Sequence, residues 1–261
     1  MTIFTPRSQL IYLLVCLIIS LISFGGLVDN SLQEMLLITL SVFALARGLN
    51  GVISVAQGTE LSVEPMGVGV TLTPGQILDP LNDMVEQFST VLLIASASLG
   101  IQKIVLFLGD NLIIKLTLSM LILIVIGLNI SSKPSNETKS WLVKSVLILT
   151  LLRLFIPGVV FISNEIQTSL KQHRNEAIST LVQTKDSVDS LAEETDKPRD
   201  WFNSLKENID IKAKLVRIQE QAESAIEAAL YLLAEFFFVM ILLPITVVFV
   251  LYKSITLIGR K

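Results

Sequence analysis

Cysteine, histidine and charged residues are scarce in this chain. Its 261 residues include one Cys and one His, and only 16% are Asp, Glu, Lys or Arg. One cysteine cannot build a disulfide framework, and a single histidine adds no Cys/His metal site. The 20 Lys and Arg residues do not cluster and are balanced by 23 Asp and Glu. This balance excludes a basic nucleic-acid-binding surface. We therefore expect no cofactor, no metal and no nucleic-acid partner.

Apolar residues are abundant instead, at 52% of the chain, which exceeds what a soluble globular core requires. A membrane helix needs about 20 mostly apolar residues. Four stretches meet this requirement: 10–28, 112–130, 141–162 and 229–252. The composition predicts an all-α multi-pass membrane protein with four firm transmembrane helices. Residues 1–28 are expected to be an N-terminal anchor helix, with a cleaved signal peptide as the alternative.

Two further stretches, 34–57 and 84–108, are apolar but carry polar residues. Between them, alternating apolar residues and a turn at Pro65–Gly67 predict a short β-hairpin. We expect 29–111 to form a helix, β-hairpin and helix unit on the outer side of the membrane. In the alternative, both stretches cross as weak transmembrane helices around a loop, and the chain has six spans.

A possible polar site lies in the first of these stretches. Arg47 and Asn50 fall on one face of the predicted helix. An arginine at the centre of a span costs about 2.5 to 3.5 kcal/mol on the insertion scale. We therefore expect Arg47 to face a span interior or the surface of an outer unit, with Glu60 or Glu64 as its local partner.

Residues 163–228 are the most hydrophilic part of the chain, and they contain few turn residues outside 194–198. Two arms of nearly equal length on either side of 195–196 predict an antiparallel coiled-coil hairpin on the outer side, leading into a C-terminal transmembrane helix at 229–252. A loosely helical loop is the alternative. The predicted seam of the second arm repeats at four and three residues: Ile211, Leu215, Ile218, Ala222 and Ala225.

The same symmetry places two intramembrane charges at similar heights. Arg153 and Glu235 are almost equidistant from 195–196. Because charges within a membrane usually pair or line a water-filled cavity, we predict an Arg153–Glu235 ion pair. The pair either fixes the register of the two helices or forms a gating or proton-linked site. Three nearby residues are predicted to kink these helices: Pro157, Gly158 and Pro244.

Basic residues predict the orientation of the chain. The loop 131–140, which joins the two helices of 112–162, contains two lysines, and the tail 253–261 is also basic. Short basic segments stay in the cytoplasm. We therefore expect both termini in the cytoplasm and 163–228 outside. The compact chain and its short loops are typical of a bacterial inner-membrane protein.

No catalytic constellation is present in the sequence, and no motif assigns the chain to a family. His173 lies alone on a hydrophilic helix, and Cys16 lies in the first span without a base nearby. We expect a non-enzymatic interaction, scaffold or signal-relay component whose residues 163–228 bind a protein partner or a second copy. The alternative is a channel or transporter subunit that uses the intramembrane charges.

Overall fold

A computed structural model describes residues 6–57, 61–63, 70–72, 74–131, 135–195 and 204–260. Nearly all of these residues are helical, in agreement with the predicted all-α class. The helices are α1 (Pro6–Leu21), α2 (Gly25–Gln57), α3 (Pro74–Gly109), α4 (Leu112–Ile130), α5 (Asn136–Thr195), α6 (Ser204–Phe237) and α7 (Leu243–Arg260), with a π-helical turn at Phe238–Leu242 between the last two.

Among the described residues, five helices are long and apolar enough to cross a membrane, as expected of an integral membrane protein. The number differs from the predicted four or six. The apolar parts of α2, α3, α4 and α5 each qualify, and so does 219–257, which includes parts of α6 and α7. The predicted anchor at 10–28 is not long enough to qualify. Its apolar helix is only Gln9–Leu21, and the chain turns before α2 begins at Gly25.

Two three-residue strands, β1 (Leu61–Val63) and β2 (Val70–Leu72), pair antiparallel with Ser62 opposite Thr71. A separate β-hairpin-containing unit at 29–111 is nevertheless not supported. The stretch begins inside α2 and ends just beyond α3, two helices of 33 and 36 residues. It is also divided between the two compact units of the chain.

The first compact unit consists of Met1–Leu36, Ala97–Ile166 and Val239–Lys261. Helices α1, α4 and α5 pack around a small apolar core: Leu13, Cys16, Ile122, Val125, Val143 and Val146. Beside this core, the hydroxyls of Ser20 and Ser119 form a buried hydrogen bond of 2.8 Å between α1 and α4. Small polar residues of this kind allow close packing of helices in a membrane.

Outside this core, α4 is almost entirely apolar and exposed. Only Ser119, Ile122 and Val125 of its 19 residues are buried. Large apolar side chains such as Ile113 and Met120 are about 70% exposed (73% and 68%). A surface of this composition fits a lipid environment. The helix is about 28 Å long at 1.5 Å per residue, close to the thickness of a bilayer's hydrocarbon core.

The second compact unit consists of Leu37–Ser96 and Gln167–Phe238. Its four helical segments bury residues at alternating spacings of three and four, which is the period of helices packed in a bundle. In α2 the buried stripe is Val42, Ala46, Leu49, Ile53 and Ala56, and in α3 it is Leu78, Leu81, Val85, Phe88, Leu92 and Ala95. The corresponding stripes are Arg174, Ala177, Leu181, Thr184 and Val188 in α5, and Ala222, Ala225, Ala229, Leu232 and Phe236 in α6.

Candidate functional site

Asp110 is the centre of a polar cluster in the first unit, which we call the Asp110 cluster: Ser23, Asp110, Lys115 and Arg153. Asp110 lies in the short turn between α3 and α4. Its Oδ2 accepts hydrogen bonds from the Ser23 hydroxyl at 2.7 Å and from the Gly25 backbone N–H at 2.6 Å. Its Oδ1 accepts one from the Phe24 N–H at 3.2 Å. The carboxylate therefore faces the N-terminus of α2, where the helix dipole favours a negative charge.

Glycine at position 25 is required by this arrangement. A Cβ at this position would lie 2.6 Å from Asp110 Oδ2, closer than atoms in van der Waals contact. Only a residue without a side chain lets the backbone N–H approach the carboxylate so closely.

Two cations face the single carboxylate. Lys115 Nζ lies 3.2 Å from Asp110 Oδ1 and also donates to the Ser23 hydroxyl at 2.9 Å. Arg153 Nη2 lies 3.5 Å from the same Oδ1. Arg153 is further held by the carbonyls of Gly109 and Ile22, at 2.5 and 2.9 Å, and by the Phe24 ring, whose centroid lies 5.8 Å from its Cζ. The cluster thus joins four segments of the first unit and has an excess of one positive charge. The segments are the connection between α1 and α2, the turn between α3 and α4, helix α4 and helix α5.

The pKa of Asp110 is lowered from its ordinary value of 3.8. Burial by itself would raise it, but the hydrogen bonds from Ser23, Gly25 and Lys115 and the positive charge of Lys115 together lower it by more. Asp110 is therefore ionised at neutral pH, and its charge stabilises the cluster.

A cavity of about 470 Å³ lies beside the Asp110 cluster within the first unit. Asp110 and Arg153 lie on its wall, and most of the remaining lining is apolar. The lining also includes Leu118 and Leu121 of α4 and Leu149 of α5. The volume is within the range of small-molecule pockets.

A second polar cluster is buried in the helix bundle of the second unit. Arg174 Nη1 lies 2.8 Å from Glu235 Oε1, and the two residues are only 4% and 6% exposed. Arg174 also donates to Gln167 Oε1 at 3.2 Å. One turn before Glu235, the ring of Tyr231 lies 6.2 Å from that of His173. We call Gln167, Arg174, Tyr231 and Glu235 the Arg174 cluster.

The predicted Arg153–Glu235 ion pair is wrong, because each residue has another ionic partner. The physical reason is the register of α5 and α6. Three contacting pairs show this register, because the mean residue number of each pair lies between 202 and 205. The pairs are Arg174–Glu235, His173–Tyr231 and Thr184–Gln221. The prediction assumed a centre at 195–196, but α6 begins only at Ser204. Because the true centre of the hairpin lies later in the chain, the residue of α5 opposite Glu235 is Arg174, in the C-terminal half of that helix.

The other predicted site residues lie in different surroundings. Arg47 is exposed, Asn50 is half-buried, and no carboxylate of the described residues lies within ion-pair distance of Arg47. Glu60 and Glu64, the expected partners, lie outside the described residues. A polar site facing a span interior is therefore not supported: Arg47 lies beside the buried stripe of α2.

Part of the predicted hairpin seam is buried as expected, namely Ala222 and Ala225. The side chains of Ile211, Leu215 and Ile218 lie outside the described residues, although their backbone belongs to α6.

The predicted helix breakers have different local effects. Helix α5 continues through Pro157 and Gly158 without interruption. By contrast, the π-helical turn Phe238–Leu242 ends two residues before Pro244, which has no N–H to donate to the preceding turn. The carbonyl of Met240 in this turn accepts a hydrogen bond of 2.8 Å from the Ser98 hydroxyl of α3. A side chain from another helix thus supports the backbone next to the proline.

Comparison of the chain with protein-family models, with curated proteins and with solved structures finds no match in any of the three. The class of protein is therefore defined by its own features. It is an α-helical protein whose described residues include five helices long and apolar enough to cross a membrane. The half-buried Asp110 cluster lies in the first compact unit, and the buried Arg174–Glu235 pair lies in the second. Within the described residues, no group of three or more His, Cys, Asp or Glu side chains is placed to hold a metal ion.

Proposed function

We propose that this protein is a non-enzymatic membrane scaffold or signal-relay component that binds a protein partner, or a second copy, through the helical hairpin of α5 and α6. The observation that carries the proposal is the length and composition of α5. It is one helix of 60 residues, about 90 Å at 1.5 Å per residue. Its first half includes exposed apolar side chains such as Leu152 and Phe161, and its second half exposes charged ones such as Lys171 and Glu176.

The burial pattern supports a coiled-coil hairpin as the binding element. The stripes of α5 and α6 have the heptad period, and small alanines occupy much of the α6 stripe. Arg174 occupies a position of the α5 stripe, and its partner Glu235 lies next to Phe236, the last residue of the α6 stripe. A buried polar pair is best attested as a device that fixes register and partner choice. A hairpin of fixed register presents the same outer surface to every partner.

We further propose that the protein lies in a bacterial inner membrane, with both termini and the loop 131–140 in the cytoplasm and the hairpin outside. Termini on one side require an even number of crossings. Because Ser23 contacts Asp110 at the end of α4 opposite that loop, this orientation requires the shorter α1 to cross as well. The positive-inside rule supports this orientation. The ends of α4 support a membrane-spanning position for this helix: one lies at the Asp110 cluster, and at the other Lys139 Nζ donates to the carbonyls of Asn129 and Ser131. Polar groups about 28 Å apart match the two boundaries of a hydrocarbon core.

The orientation is tested by labelling single cysteines with a membrane-impermeant thiol reagent in a Cys16→Ser background. Glu176→Cys, on an exposed face of α5, is expected to react in intact cells. Ser135→Cys, within the basic loop 131–140, is expected to react only after the membrane is permeabilised. Both positions are exposed. The reverse pattern would place the hairpin in the cytoplasm and refute an extracytoplasmic binding element.

The interaction is tested by site-specific photo-crosslinking in cells. A photoreactive residue at Lys171 or Glu223, both exposed on the hairpin, is expected to give a discrete protein adduct. Met120 and Leu123 of α4 serve as controls, because their exposed apolar side chains should meet lipid. Adducts that form equally from the α4 controls, or from none of the positions, would contradict a scaffold that acts through the hairpin.

A channel or transporter subunit is the second candidate, and the cavity beside Asp110 and Arg153 is the observation that favours it. The two candidates differ in liposomes. A scaffold is expected to give no ion or proton flux above that of protein-free vesicles. A flux that is present in the wild type and lost in Arg153→Gln would favour the channel and count against the scaffold.

A further inference from the structure

The cavity beside Arg153 is open to the apolar surface of the first unit. Several of its lining residues are large, apolar and partly exposed, including Leu152 at 51%, Ile114 at 45% and Leu121 at 36%. They come from α4 and α5, and the lining also includes the last turn of α3. The cavity is therefore a groove with an apolar wall and one polar end, where Asp110 and Arg153 lie.

The charge of Arg153 is incompletely balanced at this polar end. Asp110 already accepts hydrogen bonds from Ser23, from two backbone N–H groups and from Lys115, which lies nearer to it than Arg153 does. One carboxylate thus faces two cations. An excess charge in a site shielded from water is costly unless an anion compensates it.

The guanidinium also has an unused donor. The Arg153 side chain is only 5% exposed, and its Nε–H is buried without a hydrogen-bond partner among the described residues. The Nη atoms, by contrast, are held by the carbonyls of Gly109 and Ile22. The guanidinium is therefore fixed in orientation while one of its N–H groups remains available to a ligand.

From these observations we infer that the groove binds an anionic phospholipid of the bilayer. A phosphate oxygen would accept from Arg153 Nε and balance the excess charge, since guanidinium groups bind phosphate strongly. One acyl chain would cover the apolar wall of α4 and α5 next to Leu121 and Leu149. The position of the cluster at one end of the 28 Å helix α4 is that of a lipid headgroup.

The occupant is a lipid because the lining is mostly apolar, whereas free inorganic phosphate would use only its polar end. An anionic headgroup is favoured over a zwitterionic one, because a second positive charge would meet the cluster's own excess. This inference does not depend on the partner that the hairpin binds.

Native mass spectrometry of the full-length, delipidated protein tests the inference. The protein is titrated with phosphatidylglycerol and with phosphatidylcholine of the same acyl chains. We expect one phosphatidylglycerol to bind, and phosphatidylcholine to bind about tenfold more weakly, the scale of one charge-assisted hydrogen bond. Arg153→Gln should lose this preference, whereas Lys253→Gln, which removes an exposed cation on α7, should keep it.

A second variant leaves every charge in place. Leu121→Trp fills the groove and should weaken phosphatidylglycerol binding to a similar extent. Leu123→Trp is its matched control, because Leu123 is exposed on the same helix but does not line the cavity. This pair decides the outcome even if Arg153→Gln does not fold.

Three results would overturn the inference. They are equal binding of the two lipids, unchanged phosphatidylglycerol binding in Leu121→Trp, and displacement of the lipid by inorganic phosphate at concentrations comparable to those of the lipid. The last result would identify a simple anion site with no role for the acyl chain.

Discussion

Arg174 and Glu235 form a buried ion pair between α5 and α6, with Nη1 and Oε1 2.8 Å apart. Thr184 of α5 similarly donates to the Gln221 carbonyl of α6, at 3.4 Å. Arg174 precedes Thr184 in α5, whereas their partners occur in the reverse order in α6, so the two helices pack antiparallel. The Arg174–Glu235 pair therefore helps to fix the register of the two helices as well as their stability.

Glu235→Gln is expected to destabilise the protein by about 3–5 kcal/mol, because it leaves the Arg174 cation buried without its counter-charge. Thermal or denaturant unfolding in detergent measures the loss. Glu176→Gln, an exposed carboxylate on α5, should change the stability by no more than about 0.5 kcal/mol. Equal stabilities of the two variants would show that the ion pair contributes nothing.

The double variant Arg174→Met/Glu235→Leu separates charge pairing from packing. Replacing both members of a buried ion pair by apolar residues is often neutral or stabilising. We therefore expect the double variant to unfold at or above the wild-type midpoint. If it is as unstable as Glu235→Gln, the loss in the single variant comes from packing rather than from the uncompensated arginine.

The register of α5 and α6 predicts which positions can be joined by a disulfide. Leu181 and Ala225 are both buried and share the centre of the observed contacts, so Leu181→Cys/Ala225→Cys should crosslink within one chain in a Cys16→Ser background. Leu181→Cys/Leu232→Cys is the matched control, displaced by one heptad, or about 10 Å. Two Cα atoms more than about 7 Å apart cannot be bridged. Efficient crosslinking of the control pair would refute the register.

Sequence periodicity predicted the buried alanines of α6 but not the partner of Glu235. Ala222 and Ala225 follow from the four-three spacing, which is a local property of one helix. The partner of Glu235 depends on where the connection between α5 and α6 lies, and turn propensity placed it too early. The burial of Arg174 could have been predicted from the sequence, because this residue continues the stripe of Ala177 and Leu181 at the same spacing.

The segments of α2 and α3 show a second limit. The prediction for these two segments was based on their polar residues. Their buried stripes have an equally regular heptad period, which indicates a helix bundle. In the Asp110 cluster too, one contact can be anticipated from the sequence and another cannot. Lys115 lies close to Asp110 in the sequence, and the pair can be anticipated, but Arg153 reaches it from 43 positions further along the chain. Contacts of this kind depend on how the helices assemble.

Ser98→Ala is expected to destabilise the protein by about 1–3 kcal/mol, because it removes two hydrogen bonds with a usual net value of about 0.5–1.5 kcal/mol each. One is the bond to Met240, and the other is accepted from Gln102 Nε2 at 3.3 Å. The Ser98 hydroxyl donates to the Met240 carbonyl in the π-helical turn before Pro244, where the proline supplies no N–H. Unfolding in detergent measures the change. Ser41→Ala is the control, because the Ser41 hydroxyl bonds only the Leu37 carbonyl of its own helix in the described contacts and is exposed. An equal effect at both positions would mean that the contact between helices adds nothing.

Asp110 predicts a pH dependence of stability. Its pKa in the folded protein lies below the ordinary value of 3.8, so the ionised carboxylate contributes its full stabilisation above that pH. The contribution is lost as the pH falls through the lowered pKa, where the folded protein also takes up the proton. Asp110→Asn should therefore be less stable than the wild type at pH 7, by about 1–3 kcal/mol for the charge-assisted hydrogen bonds it weakens.

The difference between the wild type and Asp110→Asn isolates this carboxylate, because all other acidic groups titrate in both proteins. The difference should be constant from pH 7 to about pH 5 and should shrink below pH 4. Asp29→Asn is the control: Asp29 pairs with Lys103 at 3.4 Å, but its side chain is 45% exposed, so its effect should be at most about 1 kcal/mol. A wild-type advantage that persists unchanged to pH 2 would show that the charge of Asp110 does not stabilise the cluster, and that only the shape and neutral hydrogen bonds of its side chain do.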